Sequence, residues 1–244
     1  MLSRHGVDVK VYIVRRMSIE KNLANIRKLI SEAAKRSGRD ASRTRLVAVT
    51  KTASVEDIEQ VIRLGISDLA ENRIQAALPK IEALKHNKQI FWHMIGHLQT
   101  NKVRQCIPAF SFIHSIDSLK LAEEVNKRSE NAGIQLPVLL EVNVSGEESK
   151  YGISAEQLPD LVSSIRKLKS LDLKGLMTMA PYSNDPELSR PIFRKLKTLA
   201  ENEGLPELSM GMSSDFEVAI EEGSTIIRIG TALFNKEDQD EKFH

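Results

Sequence analysis

One cysteine, Cys106, stands in 244 residues. A lone thiol rules out an intrachain disulfide, and it deprives a structural zinc site of its usual thiolates. The expectation is a reducing, cytoplasmic setting. No apolar run approaches the roughly 18 residues of a membrane-crossing helix. The patch at residues 11–14 is too short for the core of a signal peptide, and no small-residue cleavage site follows it. Charge of one sign is also missing. Lys and Arg total 35 against 33 Asp and Glu, interspersed along the chain, for a net charge of +2. Nothing forms the basic stripe that holds a nucleic-acid backbone, so no nucleic acid is expected as partner. No linker or low-complexity stretch divides the chain.

What is present is alternation. After a helix with apolar positions Ile19, Leu23, Ile26, Leu29, Ile30 and Ala33, capped by Ser18 and closed by Gly38, strand and helix patterns take turns. Strands are expected at 46–50, 68–71, 90–95, 110–116, 138–144, 173–179, 208–210 and 225–229. Helices are expected at 55–64, 74–85, 100–106, 118–131, 155–169, 187–203 and 215–222. Several strands are near-continuous apolar runs, the mark of a parallel sheet covered on both faces. Eight strands with helices between predict a single α/β domain, a (β/α)8 TIM barrel with an extra N-terminal helix. A doubly wound open sheet is the competing architecture, because local periodicity carries no information on closure. The expected division is a loose extension at 1–16, the barrel at 17–236 and a tail at 237–244.

In such a barrel, functional groups gather where strands end. "RLVAVTKTAS" ends an apolar strand on Lys51, and "LAENR" places Asn72 after the second. The seventh strand leads into Met210-Gly211-Met212-Ser213-Ser214-Asp215 and the eighth into Gly230-Thr231. Loops after strands seven and eight often build a phosphate cup from backbone N–H groups and hydroxyls, with glycine permitting close approach. A lysine facing a phosphate cup suits a phosphorylated aldehyde, since a deprotonated amine forms a Schiff base with a carbonyl. A desolvated mouth with cations nearby favours that amine. Pyridoxal phosphate and sugar phosphates both fit. Arg228 lies two residues before Gly230 and so on the same strand face. A guanidinium there suits a pyridine nitrogen better than a sugar, and its fixed charge disfavours protonating that nitrogen.

His93, His97 and His114 raise the alternative of a metal site, with core or loop histidines as the simpler account. Met177, Met179, Met210 and Met212 read as barrel packing, and Cys106 as a packed thiol.

The stretches VAVTK, AENRIQ, WHMIGHLQTNK, HSIDS, EVNVSGEESKYG, GLMTMAP, LSMGMSSDFEVAI and GSTIIRIGTALF together resemble the pyridoxal phosphate homeostasis proteins, the YggS/PROSC family. That resemblance implies the barrel of bacterial alanine racemases and pyridoxal 5′-phosphate bound to a lysine. It implies Lys51 as the Schiff-base residue and Ser213, Gly230 and Thr231 around the phosphate. Arg228 would face the ring nitrogen, with Asn72 near the cofactor. Three positions depart from the family pattern: Ala70 and Asn235 stand where glycine is usual, and Arg73 where tyrosine is usual. The resemblance further implies a carrier that buffers or delivers the cofactor, with apo forms of pyridoxal phosphate-dependent enzymes as recipients. A monomer is expected. Racemases of this fold use a second domain and a tyrosine opposite the lysine. Of Tyr12, Tyr151 and Tyr182, none is placed by the sequence to serve, so no catalytic residue is expected. A minimal racemase remains the alternative, with a Schiff-base aldolase behind it.

Overall fold

The computed structural model describes residues 5–146 and 151–235, with side chains from Ser18 onward. The expected tail at 237–244 and positions 147–150 of the EVNVSGEESKYG stretch lie outside the described residues. Eight parallel strands close a barrel in sequence order. They are β1 Arg45–Val49, β2 Asp68–Glu71, β3 Phe91–Met94, β4 Phe112–Ile116, β5 Leu136–Glu141, β6 Leu171–Met177, β7 Glu207–Ser209 and β8 Ile226–Ile229. Closure is made by β8 against β1, from Arg45 opposite Ile226 to Ala48 opposite Ile229. The (β/α)8 expectation holds and the open sheet does not.

The helices are α1 His5–Arg36, α2 Val55–Arg63, α3 Ile74–Ala83, α4 Val103–Cys106, α5 Leu119–Asn131, α6 Leu158–Ile165, α7 Arg190–Asn202, α8 Phe216–Glu221 and α9 Thr231–Phe234. Local chemistry fixes their ends. Ser54 and Asp57 form a reciprocal capping box at α2: the Asp57 N–H donates to Ser54 Oγ (3.3 Å) and the Ser54 N–H to Asp57 Oδ2 (3.2 Å). Gly65, at φ 87°, turns the chain after α2 in a conformation other residues resist. The helix expected to begin at Ser18 does not begin there. Helical backbone is described from His5 and runs without a break through residue 16 into this helix, so Ser18 lies inside it. Ser18 instead donates its hydroxyl to the Asn235 carbonyl (3.2 Å). The apolar stripe of α1 is buried at Ile19, Leu23, Ile26, Ile30 and Ala33, and the helix packs on α2, α8 and α9. No helix among the described residues is long and apolar enough to cross a membrane.

Two cores result. The larger lies between the barrel's outer face and the helices. The smaller fills the barrel with Val47, Val49, Ala70, Phe112, Leu139, Met177 and Ile226. Strand alternation puts His93, His114, Glu141, Ser209 and Arg228 in that same interior, all buried. The inside of the barrel is thus unusually polar, and its upper layer faces the site.

Candidate functional site

A cavity of about 1000 Å³ opens at the C-terminal ends of the strands. Lys51, Asn72, Ser213, Arg228, Gly230 and Thr231, each singled out from sequence, all line it. Lys51 lies two residues beyond the end of β1 and is exposed at the mouth, so the desolvated setting expected for it is not made by neighbouring side chains. Asn72 follows β2. Its backbone carbonyl lies against Gly96, where an added Cβ would come within 2.2 Å of the oxygen. Only glycine allows the loop after β3 to close over the end of β2.

Arg228 is 3% exposed and forms the inner wall. Its Nη1 donates to Ser209 Oγ (2.7 Å) and its Nη2 to the Thr178 carbonyl (3.0 Å). Burial pushes the guanidinium down to about 10, against the opposing pull of Asp215 and Glu141. It is therefore still a cation at neutral pH.

The loops after β7 and β8 meet at the same cavity. The Ala232 N–H donates to Ser213 Oγ (3.1 Å), tying the two together. The Met212 N–H is taken by Asp215 Oδ1 (2.7 Å), which holds the turn into α8. Among the described residues no group accepts from the N–H of Ser213, Ser214 or Thr231. Those donors, with two hydroxyls and a glycine, suit an anion. The donor set and a buried cation lining one cavity fit a phosphorylated pyridine, with the Lys51 amine in the same space.

The three histidines do not converge, and among the described residues no His, Cys, Asp and Glu cluster has the arrangement of a metal site. His93 Nδ1 lies 3.0 Å from His114 Nε2 inside the barrel. His97 is apart, at the cavity wall, with Nδ1 3.0 Å from Asp117 Oδ2 and its ring stacked on Tyr151 (centroids 4.0 Å, 14°). Cys106 is buried, and burial pushes its thiol up to about 12. Of the methionines, Met177 and Met210 are packed, whereas Met179 and Met212 line the cavity. Sequence reasoning did not place Tyr151 or Tyr182 here, yet both line the mouth, as does Arg73. Tyr151 and Arg73 fall within the stretches EVNVSGEESKYG and AENRIQ, but their spacing does not mark them as cavity residues, because loop residues are brought together by closure.

The alanine racemase N-terminal domain family matches residues 19–238. The pyridoxal phosphate homeostasis protein of Aquifex aeolicus (strain VF5) is 44% identical over 226 residues, covering 90% of this chain and 99% of its own. PipY of Synechococcus elongatus PCC7942, solved with PLP bound, has a TM-score of 0.73 at 31% identity, covering 84% of this chain and 100% of its own. An alanine racemase of Clostridium difficile 630 has a TM-score of 0.71 at 16% identity, covering 91% of this chain and 57% of its own, and shares the barrel fold.

Proposed function

The chain belongs to the alanine racemase N-terminal domain family and, within it, to the pyridoxal phosphate homeostasis proteins, and from that premise we propose how its cavity serves cofactor homeostasis. It binds pyridoxal 5′-phosphate. Lys51 is the residue that holds the cofactor's aldehyde carbon, and Ser213, Gly230 and Thr231 hold the phosphate. Arg228 faces the ring nitrogen and Asn72 flanks the ring. The observation that carries this reading is that six residues chosen from sequence line one cavity, which thereby holds an amine, a set of anion donors and a buried cation together.

When bound, the cofactor supplies an electrophilic carbonyl. The residues around it orient it and keep it, and they do not equip it for turnover. A fixed cation at the ring nitrogen disfavours a proton there, which weakens the ring as an electron sink. The Tyr182 hydroxyl donates to Asn184 Oδ1 (3.2 Å) on an 83% exposed side chain, a poor setting for a positioned acid. Tyr151 is 58% exposed. We therefore assign a carrier that buffers the cofactor and passes it to apo-enzymes, as a cytoplasmic monomer. The second reading, a minimal racemase, draws on those two tyrosines at the mouth.

The test is spectroscopic. Protein loaded with pyridoxal phosphate should be yellow, and borohydride should fix the cofactor to the Lys51 peptide. Lys51→Ala should lose the visible band. Absence of any visible absorbance on addition of the cofactor overturns the assignment. Exchange of an amino acid's α-proton for solvent deuterium over many turnovers would favour the racemase.

A further inference from the structure

Arg228 is one end of a file of hydrogen bonds that crosses the barrel. Its Nη1 donates to Ser209 Oγ at 2.7 Å. Ser209 Oγ is 2.9 Å from His114 Nδ1, and His114 Nε2 is 3.0 Å from His93 Nδ1. His93 Nε2 is 3.0 Å from Asp68 Oδ1. Ser209, His114 and His93 are buried. Asp68 opens β2, at the end of the barrel opposite the cavity, and its side chain is 24% exposed, with Arg45 Nε 3.9 Å away. A cation on the cavity wall is thereby joined to a carboxylate at the far rim.

The chemistry of the two ends sets the direction of everything between them. A guanidinium only donates, and a carboxylate only accepts. Ser209 Oγ accepts from Arg228 and has one hydrogen of its own to give. If both rings are neutral, each has one N–H. Four contacts then receive four hydrogens in a single sense: Arg228 to Ser209, Ser209 to His114 Nδ1, His114 Nε2–H to His93 Nδ1, and His93 Nε2–H to Asp68. Turning over the His93 tautomer alone sets two N–H groups against each other and a lone pair against the carboxylate. Burial, with His93, Arg228 and Arg45 as nearby cations or potential cations, drives His114 well below its ordinary range, which favours the neutral ring.

We propose that Ser209, His114, His93 and Asp68 are a positioning relay for Arg228, a one-way file with both imidazoles neutral and protonated on Nε2, which holds the cavity's buried cation in place from the opposite end of the barrel. None of the four lines the cavity, so they act through Arg228. The relay's bearing on the cofactor rests on the reading that Arg228 faces a pyridine nitrogen; its direction does not. The consequence is control at a distance. Loss of Asp68 frees the His93 and His114 tautomers, which lets Ser209 and then Arg228 relax.

The experiment has two arms on the full chain. In the first, 15N NMR of histidine-labelled protein without cofactor should show His93 and His114 as neutral Nε2–H tautomers at pH 7.5. An Nδ1–H on His114, or an imidazolium at either ring, overturns the relay. In the second, the visible band and the release rate of pyridoxal phosphate are followed in Ser209→Ala, Ser209→Thr and Asp68→Ala, using variants that keep the wild-type far-UV spectrum. A hydrogen bond to a charged donor is lost in Ser209→Ala, so release should be about tenfold faster or more, with a displaced band, and Thr should restore it to within about twofold. Asp68→Ala should move the His114 Nδ1 resonance and speed release in the same direction. Unchanged release and band in both Ser209→Ala and Asp68→Ala overturn the relay. Failure of the wild type to take up the cofactor would count against the cofactor reading alone, and the tautomer arm would still decide the relay.

Discussion

Lys80 approaches the site from behind. Its ammonium, on α3, donates to Glu71 Oε1 (2.7 Å) and to the Thr50 carbonyl (2.6 Å), and Thr50 Oγ1 donates to the same carboxylate oxygen (2.7 Å). Glu71 is wholly buried, and its Oε2 has no partner among the described residues. The Thr50 carbonyl is the last backbone group before Lys51, so this knot of charge fixes the peptide that bears the amine. Lys80→Met would leave a buried carboxylate with one hydroxyl for company. The expected cost is about 3 kcal/mol, read as a lower urea midpoint, together with faster cofactor release. The double variant Glu71→Gln/Lys80→Met should recover part of that loss, because both charges leave together. A single variant as stable as wild type would mean that the Lys80 contacts do not hold this part of the fold. Lys51 was legible in the sequence because a lysine ending an apolar strand is out of place. Lys80 was not, because a lysine on a helix looks like one more solvated charge until the strand beside it is known.

At the scale of elements, the turn from β7 into α8 sets the shape of the anion wall. Gly211 has φ 95°, and a Cβ there would stand 2.5 Å from Ala219 Cβ and 3.0 Å from Phe216 Cα. Gly211→Ala therefore meets both a strained backbone and the face of α8. It should destabilise the protein by about 1–3 kcal/mol. By pushing Ser213 away from Ala232 it should also weaken cofactor binding about tenfold, measured by titrating the visible band against a thermal melt of the same samples. Normal affinity in a destabilised variant would separate α8 packing from the anion wall. Most elements here were readable. Apolar runs such as those of β5 and β8 announce strands, and β7 and α8 fall within a residue or so of their expected bounds. Two features were hidden for physical reasons. α9, at Thr231–Phe234, is too short to show a period. The start of α1 was misplaced because Ser18 has the chemistry of a cap but sits inside a continuous helix. Closure was inferred from the count of strands, since the pairing of Arg45 with Ile226 joins segments from opposite ends of the chain and leaves no local trace.

Across the whole molecule, the polar interior makes stability depend on pH through two groups that pull in opposite directions. Burial, reinforced by Asp117 and opposed by Arg228, raises Glu141 from an ordinary 4.5 to about 7. The folded state therefore holds the Glu141 proton where the unfolded chain has released it. That contribution is fully present below about 4.5 and is lost as pH rises through 7. The total is roughly 3 kcal/mol. His114 behaves in the other sense. Its folded value lies well below 6.5, so its contribution is present above 6.5 and is lost as pH falls toward the folded value. Between about 4.5 and 6.5 the two slopes oppose each other, and near neutrality Glu141 acts alone. Glu141→Gln removes only the Glu141 slope. The variant should gain on the wild type between pH 5 and pH 8, by up to roughly 3 kcal/mol in urea unfolding at the two values. The gain should appear without cofactor, since Glu141 is not part of the cavity lining. An equal difference at both pH values would show that the Glu141 carboxylate ionises in the fold as it does in water, with Arg228 and the barrel's polar layer compensating its burial in full.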